Sequence, residues 1–370
     1  MRAGGQQYRS IWLDNETGKV RVIDQRKLPF ALEVMDLLTV DDVLVAIKDM
    51  VVRGAPLIGV TAAFGMYLAA RNSRENDWCG ELRRAGERLV SGRPTAVNLK
   101  YAVDLAMEEV DLAGSRERMI QQLFHMAVRL AEDEVNRCRK IGEHGLPLIG
   151  EIHGRKGSTV NILTHCNAGW LACVDYGTAT APVYLAHDRG IPVHVWVDET
   201  RPRNQGARLT AYELGEHGVP HTVITDNAGG LLMQQGIVDM VIVGSDRTTR
   251  TGDVVNKIGT YLKALAAHDN RVPFFVALPS SSIDMKMAEG NRTEIENRDG
   301  QEVASVEGWD DSAGKVSTVR ILKEKTPVAN PGFDITPARL VTGLITEKGI
   351  CAATEEDIMS LFGKPSPTCR

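Results

Sequence analysis

Short apolar runs alternate with helix-length segments between residues 160 and 279 of the chain. Five of the runs are rich in β-branched residues, are too short for helices and end on a polar residue, which is typical of strands. They cover residues 160–166, 193–198, 222–226, 238–246 and 272–280. Gly190, Gly218 and Gly236 lie where the helices between these strands would end. This order predicts right-handed crossovers and a mainly parallel sheet.

The carboxyl ends of the predicted strands carry charged and reactive side chains. In open parallel sheets, ligands bind in the crevice beyond these ends. We therefore expect the chemistry of the protein among six residues there: Cys166, Asp198, Glu199, Asp226, Asp246 and Ser280.

The N-terminal part of the chain has a different pattern. Residues 8–26 alternate around Asn15-Glu-Thr-Gly18, which predicts a β-hairpin. Helical periodicity then predicts helices over residues 37–50, 58–69, 99–113 and 117–141, the first of them capped near Thr39. The Gly-rich segment 144–157 is predicted to separate an N-terminal hairpin plus helical domain (1–150) from a Rossmann-like domain (151–370). The predicted fold is thus α/β, with a C-terminal Rossmann-like, mainly parallel sheet flanked by helices and a smaller, mostly helical N-terminal domain that starts with a β-hairpin.

Polar and turn-forming residues are frequent after Ser280. Segment 283–306 is predicted to be irregular, and the alternating charges of residues 293–298 predict an exposed loop or sheet edge. A further helix is predicted from Ile335, with Thr336 as its N-cap and Pro337 in its first turn. The tail from Gly363 is predicted to be disordered.

Composition narrows the classes of partner. The 370 residues are 43% hydrophobic and 25% charged, which is ordinary for a globular protein and long enough for two domains. A net charge of -5 with scattered basic residues argues against nucleic acid and against charged membrane surfaces. The sequence has no apolar run of the ~20 residues that span a bilayer, and its polar N-terminus lacks the apolar core of a signal peptide. We therefore expect a cytoplasmic protein.

Cys166 is the cysteine whose position suggests chemistry. It follows a predicted strand, stands between His165 and Asn167, and precedes Gly169, which permits a tight turn into the next helix. A thiol near helix N–H groups is stabilised as thiolate, but a small buried cysteine fits the same pattern. The 6 cysteines include no CxxC pair and no zinc-ligand spacing with histidines, so we expect free thiols.

Several loops place a basic residue at the start of a predicted helix, as anion sites do. Arg53-Gly54 precedes one helix, Arg93-Pro94 precedes another, and Asn256-Lys257 lies at the start of a helix predicted over residues 258–267. Each of these motifs also has a plain structural alternative, namely a capping arginine, a turn glycine or a solvated charge.

Two further segments suggest acid/base chemistry and a polar ligand. Asp246 ends the fourth predicted strand, where an acid is well placed for general acid/base catalysis or as the cap of the following turn. Segment 198–206 combines acids, arginines and amides, which suits a polyhydroxy or phosphorylated ligand better than an apolar one. The sequence has no Walker A, GxGxxG, GxSxG or HExxH pattern, so nucleotide, dinucleotide, acyl-hydrolase and zinc-protease functions have no motif behind them.

Eight short motifs resemble those of the methylthioribose-1-phosphate isomerase family and occur in the same order along the chain. They are Arg53-Gly-Ala-Pro56, Gly92-Arg-Pro-Thr95, the loop from Thr164 to Gly169, Asp198-Glu-Thr-Arg-Pro-Arg-Asn-Gln-Gly206, Thr225-Asp-Asn227, Gly244-Ser-Asp-Arg247, Asn256-Lys-Ile-Gly-Thr260 and Asn330-Pro-Gly-Phe-Asp334. Each motif is weak alone, but together they are specific and span residues 53–334. The superfamily also includes the regulatory subunits of the translation initiation exchange factor and ribose-1,5-bisphosphate isomerase.

The resemblance implies an aldose–ketose isomerase of methionine salvage, which would convert 5-methylthioribose 1-phosphate into 5-methylthioribulose 1-phosphate. It implies Cys166 and Asp246 as the catalytic pair. It also implies a set of substrate-binding residues: Arg53, Gly54, Ala55, Arg93, Gln205, Asn256 and Lys257. The family works without metal or organic cofactor and forms homodimers, so the expected partners are a small sugar phosphate and a second copy of the chain, with neither nucleic acid nor membrane.

Two alternatives stay open at the level of the sequence. The first is an isomerase for a related sugar phosphate, such as 5-deoxyribose 1-phosphate or ribose 1,5-bisphosphate, because Asp226-Asn-Ala-Gly-Gly230 departs from the more common family sequence. The second is a non-catalytic regulatory subunit of the same superfamily, which could dispense with Cys166 and Asp246. The sequence also leaves open whether hydrogen moves from C2 to C1 of the sugar through an enolate or as hydride.

Overall fold

The structure, a computed structural model, describes residues 1–14, 16–93 and 96–363 of the chain. Three predicted features fall at least partly outside these residues: Asn15 of the hairpin turn, Pro94 at the start of a helix, and the tail beyond Gly363. None of the helices in the described part combines the length and the hydropathy that a membrane span requires.

The N-terminal part consists of small antiparallel sheets and five helices. Its strands are β1 (Arg2–Ala3), β2 (Gln6–Gln7), β3 (Ile11–Leu13), β4 (Val20–Ile23) and β5 (Val34–Leu37), and its helices are α1 (Val40–Lys48), α2 (Ala55–Asn72), α3 (Trp78–Gly92), α4 (Val97–Leu112) and α5 (Arg116–Lys156). The antiparallel pair β3–β4 confirms the predicted hairpin, and β5 adds a third strand that the pattern did not predict. Thr39 caps α1 in a reciprocal capping box with Asp42, in agreement with the sequence.

α2 is the centre of the N-terminal core. It is buried on nearly every side, because α1, α3, α4 and α5 all pack against it. The helices predicted over residues 37–50, 58–69, 99–113 and 117–141 correspond to α1, α2, α4 and α5, whereas α3 was not predicted.

α5 is 41 residues long and continues about four turns past its predicted end at residue 141. Gly145, Gly150 and Gly154 of the Gly-rich segment lie inside it, and Gly145, together with Gly142 just before the segment, allows the neighbouring helix to approach closely. A Cβ atom at Gly145 would come within 2.5 Å of Pro182 Cγ, and one at Gly142 within 2.9 Å of Leu185 Cδ1. The proposed domain division at residue 150 falls within this helix, and it stays a prediction.

The C-terminal part is built on a seven-stranded sheet. Its first elements are β6 (Val160–Thr164), α6 (Ala181–Asp188), β7 (Val193–Asp198), α7 (Ala211–His217), β8 (His221–Ile224), α8 (Ala228–Gln234), β9 (Met240–Val243), β10 (Arg247–Thr249), β11 (Val254–Lys257), α9 (Thr260–Asp269) and β12 (Phe274–Ala277). The last elements are β13 (Ile283–Asp284), α10 (Gln301–Ala304), β14 (Ser305–Asp310), β15 (Lys315–Arg320), β16 (Phe333–Thr336), β17 (Gly343–Thr346), β18 (Gly349–Cys351) and α11 (Glu355–Phe362).

The seven strands follow the order β18-β17-β12-β9-β6-β7-β8. All neighbours are parallel except β17 and β18, so the five predicted strands and their parallel arrangement are confirmed. The glycines predicted to end helices have φ angles of 74° (Gly190), 84° (Gly218) and 67° (Gly236), which places them in the left-handed region typical of such ends. Side chains alternate between two cores: Ile162 packs with α5, α6 and α7 on one face, and Leu163 packs with α8, α9 and α11 on the other.

The strand order explains where a site can form. The chain enters the sheet at β6, adds β7 and β8 on one side, and then returns to add β9 and β12 on the other. β6 and β9 are therefore neighbours at the point where the strand order reverses, and ligands bind at such switch points. Cys166 follows β6 and Asp246 follows β9, so the topology brings both to the same edge of the sheet.

Two predictions for the C-terminal part are wrong. The helix predicted from Ile335 is replaced by strand β16, a 3-10 turn at Ala338–Leu340, and strand β17. Short apolar runs do not distinguish strand from helix, and here antiparallel pairing of β16 with β11 decides the outcome. Segment 283–306, predicted to be irregular, contains β13 and α10 and leads into the hairpin β14–β15, which the sequence analysis missed.

Candidate active site

A cavity of about 280 Å³ lies beyond the carboxyl ends of β6 and β9. Eight of the nine residues predicted to form the site line it: Arg53, Gly54, Ala55, Arg93, Cys166, Gln205, Asp246 and Lys257. The ninth, Asn256, is buried next to Lys257 in β11, and its amide donates a hydrogen bond to Thr260 Oγ1 at 3.0 Å. The other strand-end residues from the sequence analysis, among them Asp198 and Asp226, do not line this cavity.

Lys257 reaches the cavity from a strand, which corrects its predicted place at a helix start. Asn256 and Lys257 end β11, and α9 begins at Thr260 after Gly259, whose φ is 102°. The Lys257 ammonium group donates to the carbonyl oxygen of Gly332 at 2.9 Å and lies 4.6 Å from the ring centre of Phe333. Its position is therefore fixed before any ligand binds.

Arg53 and Gly54 form the corner where the chain enters α2. The Arg53 guanidinium group holds both oxygens of Asn167, the side-chain oxygen through Nη1 and the carbonyl oxygen through Nη2 at 2.8 Å. Gly54 has a φ of 93°, and a Cβ atom there would overlap the carbonyl group of Ala172. Only glycine allows the N-terminus of α2 to approach the main chain of Ala172 this closely.

The Cys166 loop is held in an unusual backbone conformation. Cys166 has a φ of 65°, a value that few residues other than glycine adopt, and such conformations cluster at functional sites. Its N–H group donates to Thr200 Oγ1 at 2.8 Å, and its carbonyl oxygen accepts from Thr210 Oγ1 at 2.7 Å. The loop leads into a 3-10 turn at Trp170–Ala172, and the next α-helix starts only at residue 181, which corrects the predicted direct turn into a helix.

Burial shifts the pKa values of Asp246 and Lys257, two ionisable groups that line the cavity together with Cys166. It raises the pKa of Asp246, although the positive charges of Lys257, Arg93 and Arg53 act in the opposite direction. It lowers the pKa of Lys257, which Cys166 and Asp246 partly oppose. Both shifts favour the neutral forms, as expected where protein replaces water around a small cavity.

A network of buried polar groups supports the Cys166 loop from the side of β7. His165 contacts Asp198 Oδ2 through Nδ1 and the carbonyl oxygen of Ile258 through Nε2, both at 2.8 Å. The Lys263 ammonium group lies 3.1 Å from the same Asp198 oxygen. Asp198, which was predicted to be a candidate for chemistry at a strand end, is therefore a member of this supporting network.

Two clusters in the described residues bring together groups that are able to ligate a metal ion. In the first, His165, Asp198 and Asp226 converge, but the Lys263 cation already occupies the Asp198 carboxylate. In the second, Glu134, Cys138 and Cys173 converge, and Arg137 contacts Glu134 at 3.3 Å. A second cation beside Lys263 or Arg137 would be repelled, so neither cluster fits a metal ion well. The five cysteines that the structure describes are free, as predicted, and Cys369 lies outside those residues.

Glu213, a fully buried acid of α7, was not predicted from the sequence. Its carboxylate accepts hydrogen bonds from Asn167 Nδ2 at 3.0 Å, Leu171 N at 2.8 Å, Tyr184 Oη at 3.1 Å and Trp170 N at 3.2 Å. Burial raises the pKa of Glu213 to about 7, against the effect of these hydrogen bonds. The signal in the sequence was an acid four residues after Leu209, on the buried face of a helix.

The loop of residues 293–298, predicted to be an exposed loop or edge, forms part of the cavity wall. Thr293, Glu294 and Glu296 line the cavity. Arg298 holds Glu296 at 2.8 Å, and Arg93 lies 3.9 Å from the other oxygen of the Glu296 carboxylate. Glu294 is exposed, but Glu296 is half-buried, so the prediction of exposure is correct for only part of the loop.

Glu302 joins this loop to the loop that carries Gln205. Its carboxylate accepts from Arg298 Nη2 at 2.6 Å, from Arg203 Nη1 at 2.9 Å and from Asn330 Nδ2 at 3.0 Å. Burial alone would raise the pKa of Glu302, but the hydrogen bonds from Arg298 and Arg203 outweigh it and bring the pKa to about 2.

The low pKa of Glu302 predicts a loss of stability in acid. An unfolded glutamate has a pKa of about 4.3, so between roughly pH 4.3 and pH 2 the unfolded state binds more protons than the folded state. The stabilisation by Glu302 is therefore complete above about pH 5 and is lost as the pH falls towards 2. Denaturant unfolding of wild type and Glu302→Gln should differ most at neutral pH and converge in acid. Glu307→Gln, which removes a more exposed carboxylate with one arginine partner, is the matched control; a gap for Glu302→Gln that does not change with pH would contradict the assignment.

Comparisons with known proteins agree with this geometry. The sequence profile of the Initiation factor 2 subunit family matches residues 51–353. A protein of Desulfatibacillum aliphaticivorans named methylthioribose-1-phosphate isomerase is 58% identical over 367 residues, 98% of this chain and 99% of the relative. The crystal structure of 5-methylthioribose 1-phosphate isomerase from Pyrococcus horikoshii OT3 is 37% identical, with a TM-score of 0.84 over 96% of each chain. A crystal structure of the translation initiation factor eIF-2B, subunit delta, from A. fulgidus is 38% identical, with a TM-score of 0.80 over 96% of this chain and 99% of that one.

These matches extend over nearly the whole chain and include the segments that build the cavity. The profile covers every predicted site residue from Arg53 to Lys257, and the relative from Desulfatibacillum aliphaticivorans is aligned over almost its full length. The chain therefore belongs to the Initiation factor 2 subunit family and, within it, to the methylthioribose-1-phosphate isomerases.

Proposed function

We propose that the protein is an aldose–ketose isomerase that converts 5-methylthioribose 1-phosphate into 5-methylthioribulose 1-phosphate in methionine salvage. The observation that carries the proposal is that Cys166 and Asp246 share one cavity with four cationic side chains, at the switch point of a parallel sheet. A regulatory subunit without catalysis would have no need for a thiol and an acid together in such a place.

The chemistry of the substrate explains why these two residues are needed. A phosphate at the anomeric carbon prevents spontaneous opening of the furanose ring, so the enzyme itself must protonate the ring oxygen. Asp246 suits this step, because burial raises its pKa and favours the protonated form. The bond between C1 and the ring oxygen then breaks, the hydrogen at C2 moves to C1, and the 2-hydroxyl group loses its proton as C2 becomes the carbonyl carbon. Cys166 either removes the hydrogen at C2 as a base, so that a proton is returned at C1, or stabilises its transfer as hydride.

The remaining predicted residues are proposed to bind the phosphate and the sugar. Arg53, Arg93 and Lys257 supply positive charge, and Gly54 and Ala55 supply the N-terminus of α2, which favours anions. Gln205 lies in the cavity wall, and its amide oxygen has no hydrogen-bond partner among the residues that the structure describes, so it suits a sugar hydroxyl group. Asn256, which does not line the cavity, is proposed to support the binding site from behind Lys257.

The charge balance of the cavity favours a substrate with one phosphate group. The cations Arg53, Arg93, Arg247 and Lys257 face two carboxylates, Glu294 and Glu296, because Asp246 is proposed to be in its neutral form. The excess of positive charge matches one phosphate dianion, whereas the second phosphate of ribose 1,5-bisphosphate would meet carboxylates or apolar groups. Apolar side chains complete the wall and suit a methylthio group: Met50, Ile58, Val97, Val255 and Phe333.

An isomerase assay of the purified protein tests the proposal. We would measure ketose formation from 5-methylthioribose 1-phosphate, 5-deoxyribose 1-phosphate and ribose 1,5-bisphosphate, with a chelator present and no added cofactor. The expected order of kcat/KM is the methylthio sugar first, the deoxy sugar second and the bisphosphate last. A preference for the bisphosphate would show that the proposed substrate is wrong. Binding without turnover of any of the three would show that the protein is a regulatory subunit and not an enzyme.

The expected homodimer and cytoplasmic location belong to the same proposal. Family membership supports the homodimer, and the composition supports a cytoplasmic location. Sedimentation equilibrium should give a species of twice the chain mass; a monomer at micromolar concentration would contradict the expected dimer.

A further inference from the structure

We propose that Glu213 is a positioning residue that acts through Asn167 to hold the Arg53 guanidinium group in the orientation that binds the substrate phosphate. The phosphate contact of Arg53 is part of the proposed function, on which this positioning role rests. Glu213 does not line the cavity and touches no residue assigned to the chemistry itself. Its effect must therefore travel through the side chain that it holds.

The hydrogen bonds of Asn167 form a chain with a single direction. Asn167 Nδ2 donates to Glu213 Oε1 at 3.0 Å, and this leaves Asn167 Oδ1 to accept from Arg53 Nη1. All the hydrogen bonds that Glu213 makes come from donors, which suits the ionised carboxylate, and a carboxylate has no hydrogen of its own and accepts only the NH₂ group of the amide. If the amide turned round, its oxygen would face the carboxylate and its NH₂ group would face the guanidinium group, and both contacts would be lost. Glu213 thus determines that the amide oxygen of Asn167, and not its NH₂ group, faces Arg53.

The same acid also fixes the main chain at the start of the 3-10 turn, three and four residues after Asn167. Glu213 Oε1 accepts from Leu171 N at 2.8 Å and Oε2 accepts from Trp170 N at 3.2 Å. Gly169 lies so close to the carboxylate that a Cβ atom there would overlap Glu213 Oε2. The carbonyl oxygen of Asn167, which accepts from Arg53 Nη2 at 2.8 Å, belongs to a residue whose side chain is held by the same carboxylate that holds the main chain three residues later. Both contacts of Arg53 with Asn167 therefore depend on Glu213.

Thr210 extends the chain to Cys166. Thr210 Oγ1 donates to the Cys166 carbonyl oxygen at 2.7 Å, so it must accept from Asn167 Nδ2, which lies 3.2 Å away. This requirement agrees with the amide orientation that Glu213 imposes. Glutamine at position 213 would break the pattern in either orientation of its amide. In one orientation the NH₂ group would face Asn167 Nδ2 and Leu171 N, and in the other it would face Trp170 N. All three are donors, as the NH₂ group is.

A double-mutant cycle on Glu213→Gln and Arg53→Ala tests the proposal. Glu213→Gln should raise KM for 5-methylthioribose 1-phosphate roughly 10-fold or more, the loss expected for one charge-assisted contact, with a smaller change in kcat. In the Arg53→Ala background the same substitution should change KM little, because the group through which Glu213 acts is absent. Equal effects of Glu213→Gln on KM in both backgrounds would overturn the proposal.

Tyr184→Phe is the matched control for loss of stability. It removes a hydrogen bond to the same carboxylate, at Oε2, but leaves the link from Oε1 to Asn167 intact. We expect Tyr184→Phe and Glu213→Gln both to lower the thermal unfolding midpoint, and only Glu213→Gln to raise KM. If Tyr184→Phe raises KM as much as Glu213→Gln does, Glu213 has only a structural role and the proposal is wrong.

Calorimetric binding of inorganic phosphate to the same four proteins of the cycle separates this role from the proposed reaction. If wild type binds phosphate and Glu213→Gln weakens binding only where Arg53 is present, the positioning role stands even when none of the sugar phosphates is turned over. If wild type does not bind phosphate, or if Glu213→Gln binds it as wild type does, Glu213 does not position an anion-binding arginine.

Discussion

Replacing Asp246 by asparagine is expected to lower kcat by about 10²–10⁴-fold, the usual contribution of a general acid or base. Asparagine keeps the size of aspartate, but it has no acidic proton to give to the ring oxygen of the sugar. Burial raises the pKa of Asp246, so the neutral acid is the form that the surroundings favour. Because the amide is also neutral, the substitution should leave the thermal unfolding midpoint unchanged or slightly higher.

Asp239 offers a matched control at the other end of the same strand. It immediately precedes β9, and its carboxylate accepts hydrogen bonds from Lys156 Nζ and from Asn161 N, both at 2.7 Å. Asp239→Asn removes a paired carboxylate far from the cavity wall, so it should lower stability and keep turnover. Steady-state kinetics of both variants decide the matter, and a kcat for Asp246→Asn close to that of wild type would remove Asp246 from the role of acid.

Cys166→Ser is expected to reduce kcat by a similar factor, about 10²–10⁴-fold. Serine is nearly isosteric with cysteine, but its hydroxyl group is a much weaker acid and does not supply an anion near neutral pH. Both hydrogen bonds of the Cys166 main chain, to Thr200 and from Thr210, are independent of the side chain and should persist. Substrate binding should therefore be largely retained, with KM near that of wild type.

Deuterium at C2 of the substrate tells what Cys166 does. A base that removes the hydrogen as a proton allows exchange with water, so the label is partly lost from the product. A hydride shift carries the label to C1. Cys79→Ser serves as the control, since Cys79 is exposed and outside the cavity. Wild-type kcat in Cys166→Ser would exclude the thiol from either mechanism.

The proximity of Cys166 and Asp246 could be predicted because both residues follow strands, whereas the set of seven substrate-binding residues was implied by the resemblance to the family. Cys166 and Asp246 each follow an apolar run whose length and composition identify a strand, and parallel strands bring their carboxyl ends to one edge. The cavity confirms that these two residues lie together. Lys257 was placed on the wrong kind of element, yet it still reaches the cavity, because a strand end and a helix start only three residues apart occupy nearly the same place.

The parts that were missed depend on contacts between distant segments. The loop of residues 293–298 reaches the cavity because Gly332 N donates to the Glu296 carbonyl oxygen and Arg298 N donates to the Asn330 carbonyl oxygen. Nothing in the local pattern of charges indicates these partners. The same holds for β16 and β17, where pairing with β11 and β12 overrides a spacing of apolar residues that fits a helix.

Glu213 is a residue that a search for sequence motifs does not find. It has no neighbouring signature, and an acid inside a helix is ordinarily a solvent-exposed residue. Its role follows from the donors that surround it, and these come from segments about 29 to 46 residues earlier in the chain. The helical spacing to Leu209 was the single local clue.

The length of α5 limits how the cavity can open. A helix of 41 residues extends about 60 Å, and its first turns pack in the N-terminal core through Met119 and Leu123 while its last turns pack against the sheet through Ile141 and Ile149. The cavity has walls from both regions, so swinging one region away from the other would require this helix to bend or to leave one of its cores. We therefore expect the two halves of the binding surface to keep a fixed distance during turnover, and we expect the substrate to enter past short segments of the rim, such as residues 293–296.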